Sequence, residues 1–235
     1  MSGRRRGAEL GVLLLLYEMS NIGFRHIPPV TLFAVAGQAL LYSGFIPVKW
    51  DRWDVCLSTE AIIYQKDYFR LLISALEHGS DMHLYYNMIS FIFKGRELER
   101  YMFGSVNFAL FLLMTTLMCS STYVGLNYIL LQIFQDISYL KTCAVGFSGV
   151  IFALKTLTAK REASISPGRS LQYSVWAELV LIHLLVPGSS FVGHLAGILV
   201  GKAYIHTPLG SIIDGILVLL SGEPVYRWGF LMGQT

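Results

Sequence analysis

Two glycine-flanked motifs at the starts of apolar stretches carry the residue types of a catalytic pair. Ser148 stands between Gly146 and Gly149, and His194 opens a later stretch within the motif at residues 193–197. A serine hydroxyl is a weak nucleophile until a base removes its proton, and imidazole titrates in the range where it can do so. Because polar groups are energetically costly in hydrocarbon, their presence in an apolar stretch indicates a function. The pattern predicts Ser148 as a nucleophile and His194 as its general base, within a bilayer.

An acyl-transfer site also needs hydrogen-bond donors for the oxyanion. His83 and Asn87 are spaced i, i+4, so both project from one helix face and can donate to the same oxygen. The backbone N–H of Ser148, at a helix N-terminus, is a third donor. The alternative for His83 and Asn87 is hydrogen bonding that holds helices together. Because no acid lies near Ser148 or His194, the sequence predicts a dyad, with Phe152 supporting the imidazole ring.

Glycines flank both predicted catalytic residues and have a packing explanation of their own. Gly193, Gly197 and Gly201 form a ridge of small residues at helical spacing, and Gly146 and Gly149 do the same on the earlier stretch. Such ridges let two helices approach closely, which would bring the serine and histidine side chains together. A glycine-packed helix pair without chemistry is the alternative.

The composition is that of a membrane protein. Of 235 residues, 54% are hydrophobic and only 14% are charged, with a mean hydropathy of +0.55. A soluble domain carries about 25% charged residues. The net charge of +3 is too small and too scattered for a nucleic-acid partner. No cofactor or metal site is expected, since the histidine-containing segment 77–83 lacks a metal-binding pattern. The number of cysteines is odd, and all three are predicted to be ordinary apolar residues that fill the interior: Cys56, Cys119 and Cys143.

The pattern predicts an all-α fold of six membrane-spanning helices with a long first loop. The six apolar stretches are at about 29–46, 82–93, 106–129, 145–157, 173–186 and 191–205. We expect a cytosolic N-terminal tail with an interfacial helix at 1–28, although a cleaved signal peptide is the alternative. The membrane domain would occupy 29–206, and a short cytosolic segment with a surface helix would occupy 207–235.

Lysine and arginine in the flanking segments orient the bundle. If there are six spans, these flanks fall on one side, which should be cytosolic and should hold both termini. The lysines and arginines in these flanks are Arg4, Arg5, Arg6, Lys94, Arg96, Arg100, Lys160, Arg161, Arg169 and Lys202. The second, fourth and sixth spans then all run inward from the non-cytosolic face. His83, Asn87, Ser148 and His194 are therefore predicted to share one layer near that face.

The three motifs, in this order, resemble the rhomboid family of intramembrane serine proteases over about residues 67–202. The resemblance implies a six-helix bundle in which Ser148 is the nucleophile, His194 is the base, and His83 and Asn87 belong to the oxyanion site. It also implies hydrolysis of peptide bonds in single-span transmembrane proteins that enter from the bilayer. Phe152 falls where the family often has a tyrosine stacked on the histidine.

Segments 27–31, 143–149 and 191–197 resemble a branch of this family found in the endoplasmic reticulum membrane. That resemblance implies turnover of unstable membrane proteins in quality control. Relatives there carry a long tail that binds ubiquitin and a AAA ATPase, and these partners are not expected for a chain that ends at Thr235. Two alternatives are a catalytically inactive rhomboid-like binder and a transporter. The transporter is disfavoured because broken helices with mid-membrane acids are missing.

Overall fold

The computed structural model describes residues 10–166, 173–186 and 188–234. Four of the arginines that were used to predict the orientation lie outside these ranges: Arg4, Arg5, Arg6 and Arg169. The helices in chain order are α1 (Leu10–Ile22), α2 (Pro29–Tyr42), α3 (Arg52–Val55), α4 (Thr59–Ile63), α5 (Arg70–Ile73), α6 (Asp81–Leu98), α7 (Gly104–Phe134), α8 (Ser138–Lys141), α9 (Ser148–Ile165), α10 (Ser174–Leu185), α11 (Phe191–His206), α12 (Pro208–Ser221) and α13 (Arg227–Leu231).

The described part of the chain is helical, as predicted, and its one pairing of extended backbone is a bridge between Leu57 and Ala144. Each of the six apolar stretches coincides with a helix, namely α2, α6, α7, α9, α10 and α11. A short 3₁₀ turn, Phe24–His26, joins α1 to α2, and a π-helical turn, Glu99–Phe103, joins α6 to α7.

Length and hydropathy single out one continuous stretch of the described chain that could cross a membrane, Asp81–Phe134. This stretch is not straight, because Gly104 has φ 70° and ψ 168°. The rings of Phe91 and Phe108 stack with centroids 6.3 Å apart, whereas a straight helix would separate the two residues by about 25 Å. Helices α6 and α7 therefore fold back on each other at Gly104.

Helices α11 and α12 are long and apolar enough to cross a membrane only when they are taken together, and they are bent by 83° where they meet. Pro208 at the start of α12 has no N–H to continue α11. The bend turns α12 across the end of α11 and leaves Leu219 82% exposed. Helix α12 also buries Ile213 and Leu217, and the predicted surface helix within 207–235 stays a prediction.

Helix α9 is the centre of the bundle, because it packs against α6, α7, α10 and α11. Its closest neighbour is α11, along the glycine ridge that the sequence predicts. A Cβ atom on Gly197 would overlap the carbonyl oxygen of Gly149, and a Cβ on Gly201 would lie 2.7 Å from Cβ of Thr156. Only glycine permits this approach, so the ridge fixes the distance between the two helices.

Helix α1 lies alongside α6 and runs in the same direction. At the start of both helices, the N–H of Gly11 donates to a carboxylate oxygen of Asp81 at 2.7 Å. Beyond their other ends, Arg100 Nη2 donates to the carbonyl oxygen of His26 at 2.7 Å. Between these contacts α1 buries Leu15 in the main core. An interfacial helix would lie in the membrane plane, across the spans, so this packing contradicts the predicted interfacial helix.

The C-terminal helices also share the main core. Arg227 on α13 is buried, donates to the carbonyl oxygen of Tyr204 at 3.0 Å and to Ser211 Oγ at 2.8 Å, and pairs with Asp214 at 2.9 Å. Phe230 is fully buried. The domain boundaries at residues 28 and 206 stay predictions, but the helices on both sides of them pack as one body.

The prediction that the cysteines are apolar filling is wrong for two of them. Cys56 and Cys143 form a disulfide with their Cα atoms 5.5 Å apart, and Cys119 is free and buried. The two partners are separated by 87 residues, so local spacing contains no sign of the pairing. The bond attaches the long loop after α2 to the segment that leads into α9.

Candidate active site

The candidate site is assembled from the N-terminal ends of α6, α9 and α11. Ser80 caps α6 by accepting the N–H of His83 at 3.2 Å, and Ser190 caps α11 by accepting the N–H of Gly193 at 3.1 Å. Ser148 is the first residue of α9. The three helices begin at the same end of the bundle, which brings residues distant in sequence into one layer.

Ser148 and His194 are in hydrogen-bond contact across the interface between α9 and α11. Nε2 of His194 lies 3.0 Å from Oγ of Ser148. Among the described residues, Nδ1 of His194 has no hydrogen-bond partner, and the side chain is buried. For Nε2 to accept the serine proton, Nδ1 must carry the ring hydrogen. The arrangement is therefore a dyad without a carboxylate.

The ring of Phe152, one turn along α9, takes the supporting position beside the imidazole. It stacks on His194 with ring centroids 4.6 Å apart and planes inclined by 25°. Phe152 is itself buried, so its own packing holds it in place. Stacking can orient the histidine where a hydrogen-bonded acid would otherwise do so.

His83 and Asn87 face the start of α9 on the opposite side of the serine motif. Nδ1 of His83 accepts the N–H of Gly79 at 3.3 Å, which leaves the ring hydrogen on Nε2 as a donor. The side-chain nitrogen of Asn87 is buried and makes no hydrogen bond to the described residues. A Cβ on Gly146 would lie 2.9 Å from Nε2 of His83 and 3.4 Å from Nδ2 of Asn87.

Gly146 is required here for a second reason, its φ of 116°, which side-chain-bearing residues rarely adopt. The missing side chain leaves both donors open toward the N-terminus of α9. The N–H groups of the first turn of a helix have no partner within the helix. The structure thus brings together the side-chain and backbone donors that the sequence proposes for an oxyanion, whereas their catalytic roles stay predictions.

A cavity of about 60 Å³ adjoins Ser148. Helix α7 contributes three lining residues that the sequence argument missed: Cys119, Ser120 and Tyr123. The only sequence sign of them is a group of small or polar residues inside an otherwise apolar stretch. The remaining lining residues are Leu57, Ser74, Ala75, Ala144, Val145, Gly146, Ser148, Gly149, Val150, Ser190 and Gly193. The cavity is large enough to hold water next to the serine.

Other polar groups lie apart from this layer. Glu178 on α10 pairs with Lys155 on α9, and His183 packs edge-on against Phe191. The carboxylate of Glu99 is buried and accepts hydrogen bonds from residues 30, 31 and 105. In the described ranges no three histidine, cysteine or acidic side chains are placed to hold a metal ion.

Comparison with known proteins gives the same family as the residues of this site. The family model of the Rhomboid domain matches residues 65–210. Over 234 residues the chain is 41% identical to Rhomboid-related protein 4 of Mus musculus, covering 94% of this chain and 72% of the mouse protein. It is 40% identical over 223 residues to the Homo sapiens protein of the same name, covering 91% and 68%.

A more distant relative is Rhomboid-type serine protease 2 of Saccharomyces cerevisiae. It is 29% identical over 188 residues, which cover 73% of this chain and 68% of the yeast protein. The family match extends over more than half of the chain, and the mammalian matches extend over nearly all of it. This chain belongs to the rhomboid family and is an all-α membrane protein.

Proposed function

We propose that the protein is an intramembrane serine endopeptidase that cleaves transmembrane or juxtamembrane segments of single-span membrane proteins. The observation that carries the proposal is the 3.0 Å contact between Ser148 Oγ and Nε2 of the buried His194. The unpartnered side-chain nitrogen of Asn87 lies near Gly146, and a cavity adjoins Ser148. A catalytically inactive binder has no need of such an arrangement.

The first half of the reaction forms an acyl-enzyme. As Oγ of Ser148 attacks the carbonyl carbon of the scissile bond, its proton passes to Nε2 of His194. The carbonyl oxygen becomes an oxyanion, which can be stabilised by the Ser148 N–H, His83 Nε2–H and Asn87 Nδ2–H groups. The imidazolium of His194 then gives its proton to the leaving amine, and the peptide C–N bond breaks.

The second half releases the acyl group. A water molecule in the cavity gives a proton to His194 while its oxygen attacks the acyl carbon, and the collapse of this intermediate returns the proton to Ser148. The carboxylate product leaves. Ser74 and Ser190 are among the residues that line this cavity. A dry site at this position would stop at the acyl-enzyme.

We place the catalytic layer on the non-cytosolic side of the bundle. The support is the charge distribution: Lys94 and Arg96 lie toward the end of α6, Arg161 toward the end of α9 and Lys202 toward the end of α11. Helix α1 begins level with Asp81, at the catalytic end. The cytosolic assignment therefore covers residues 207–234 and not the start of α1.

We further propose that the protein resides in the endoplasmic reticulum membrane and removes unstable membrane proteins there. This rests on the similarity of segments 27–31, 143–149 and 191–197 to an endoplasmic reticulum branch of the family, and on the identity to Rhomboid-related protein 4. A substrate helix with weakened internal hydrogen bonding would expose its peptide bond to Ser148 at lower free-energy cost.

Co-expression with tagged single-span proteins tests the function. Wild-type protein should produce shortened fragments of at least one such substrate. The Ser148→Ala variant, at equal abundance in the membrane fraction, should produce none. Fragments formed equally by both proteins would contradict the proposed nucleophile.

A further inference from the structure

The Cys56–Cys143 disulfide connects the long loop after α2 to the approach to Ser148. Its Cα–Cα distance of 5.5 Å is typical of an unforced disulfide. Cys143 lies in the short non-helical segment between α8 and α9, a few residues before the serine. Movement of this segment would therefore move the N-terminus of α9, which carries both the nucleophile and a proposed oxyanion donor.

Backbone hydrogen bonds continue this connection toward the serine. Leu57 and Ala144, each directly after its cysteine, exchange two hydrogen bonds of 2.8 Å and 2.9 Å. The N–H of Gly146 then donates to the carbonyl oxygen of Ser74 at 2.9 Å. We call residues 143–146, with these loop contacts, the entry clamp.

The loop side of the entry clamp is itself held firmly. Arg70 Nη1 donates to the carbonyl oxygen of Cys56 at 2.9 Å, and Arg70 Nε pairs with Asp67 at 2.7 Å. Cys56 is buried. The loop is thus a fixed support, and the segment before α9 is the part that the disulfide restrains.

Besides the disulfide, the segment is held by its backbone hydrogen bonds to Leu57 and Ser74, and it leads into the buried ring of Phe147. Gly146, with its φ of 116°, has the largest conformational freedom when released. Each hydrogen bond of the entry clamp contributes only modestly to stability, because folding exchanges it for a hydrogen bond to water. Since the Gly146 backbone also packs on His83, a shift here would disturb the oxyanion donors as well as Ser148.

We propose that Cys56 and Cys143 are positioning residues whose disulfide holds Ser148 in register with His194 and makes the activity depend on the oxidised state. The inference rests on the proposed function. Disulfides persist in oxidising compartments, which agrees with a non-cytosolic catalytic layer. In reduction, a dithiol reagent supplies two electrons and two protons. The S–S bond breaks to two thiols, and the reagent closes to its own cyclic disulfide.

The exposed position of Cys143 gives a reductant access to the bond. The test uses the full chain purified in detergent micelles, with an active-site fluorophosphonate as the probe. Labelling rate constants at saturating probe are compared before reduction, after dithiothreitol and after re-oxidation with glutathione disulfide. Thiol counts by mass spectrometry confirm each state, and thermal unfolding shows that the fold persists.

We expect reduction to lower the saturating rate constant by about 10- to 100-fold, the loss typical of a displacement of about 1 Å. Re-oxidation should restore it. The half-saturating probe concentration should change little, because the probe is too small to depend on the loop. The double variant Cys56→Ser/Cys143→Ser should be as slow as the reduced protein and should not respond to dithiothreitol. Cys119 is retained throughout.

The outcomes separate this inference from the function on which it rests. Equal rate constants in the oxidised and fully reduced wild-type protein would overturn the inference alone. Free thiols at both Cys56 and Cys143, in protein that is alkylated directly in membranes, would also overturn the inference alone. Absence of Ser148-dependent labelling in the oxidised protein would overturn the proposed function and this inference with it. Reduction and re-oxidation of wild-type protein give the answer even if the double variant fails to fold.

Discussion

Nε2 of His194 lies 3.0 Å from Oγ of Ser148, while Nδ1 of the same ring has no partner among the described residues. The glycine ridge of α11 sets this distance, because Gly197 lets α11 approach the backbone of Gly149. The stacked ring of Phe152 occupies the flank of the imidazole. Helix packing, in place of a third polar residue, thus holds the candidate dyad together.

The first prediction concerns the base. His194→Ala should lower the saturating rate of fluorophosphonate labelling by about 10²–10⁴-fold, the usual contribution of general acid–base catalysis. His206→Ala is the matched control, since His206 is exposed at the far end of the same helix. A labelling rate for His194→Ala equal to that of the control would remove His194 from the mechanism.

The second prediction concerns the oxyanion donor Asn87. Asn87→Ala should lower kcat for peptide cleavage by about 10²–10³-fold with little change in KM, because the donor acts mainly in the transition state. Asn107→Ala is the control: this buried asparagine donates to the carbonyl oxygen of Glu223, so its loss should lower stability without lowering kcat. If Asn87→Ala behaves as the control does, the residue serves only to hold helices together.

The third prediction concerns the glycine ridge. Gly197→Ala should lower the free energy of unfolding by about 1–3 kcal/mol, as overpacked substitutions do, because its Cβ would overlap the carbonyl oxygen of Gly149. Gly125→Ala on α7 is the control, since no atom lies within 4 Å of its added Cβ. Unfolding in detergent micelles measures both. Equal stability of the two variants would refute close packing of α9 on α11.

The fourth prediction concerns the ion pair between α9 and α10. Val175 and Leu179 of α10 are buried in an apolar cluster with residues of α9 and α11, and the Lys155–Glu178 pair adds a polar contact to α9. Lys155→Met and Glu178→Gln should each destabilise the protein, and the double variant should lose less than the sum. A coupling energy of about 0.5–3 kcal/mol is expected from a double-mutant cycle. Strict additivity would show that the pair contributes nothing.

The helices and the polar layer could be predicted because each depends on local sequence. Apolar stretches of sufficient length become helices, and the polar residues at the starts of α6, α9 and α11 meet because those helices are parallel. The dyad geometry also follows from pattern, since Gly197 and Gly149 lie on the facing surfaces of the two helices.

The features that could not be predicted depend on contacts distant in sequence. Cys56 and Cys143 pair across 87 residues, and an odd cysteine count gave no reason to join them. The apolar run of α1 suits a membrane surface as well as a groove beside α6, and the contact of Gly11 with Asp81 decides between them. The residues of α7 that line the cavity have no motif at all.

The most direct test of the central claim is the site of covalent modification by a fluorophosphonate, located by peptide mass spectrometry. Such a probe forms a phosphonyl ester with an activated serine and not with ordinary surface serines. Wild-type protein should carry the label on Ser148, and Ser148→Ala, folded and of equal abundance, should carry none. A label on another residue, or a folded wild-type protein that does not react, would contradict the proposed Ser148–His194 dyad.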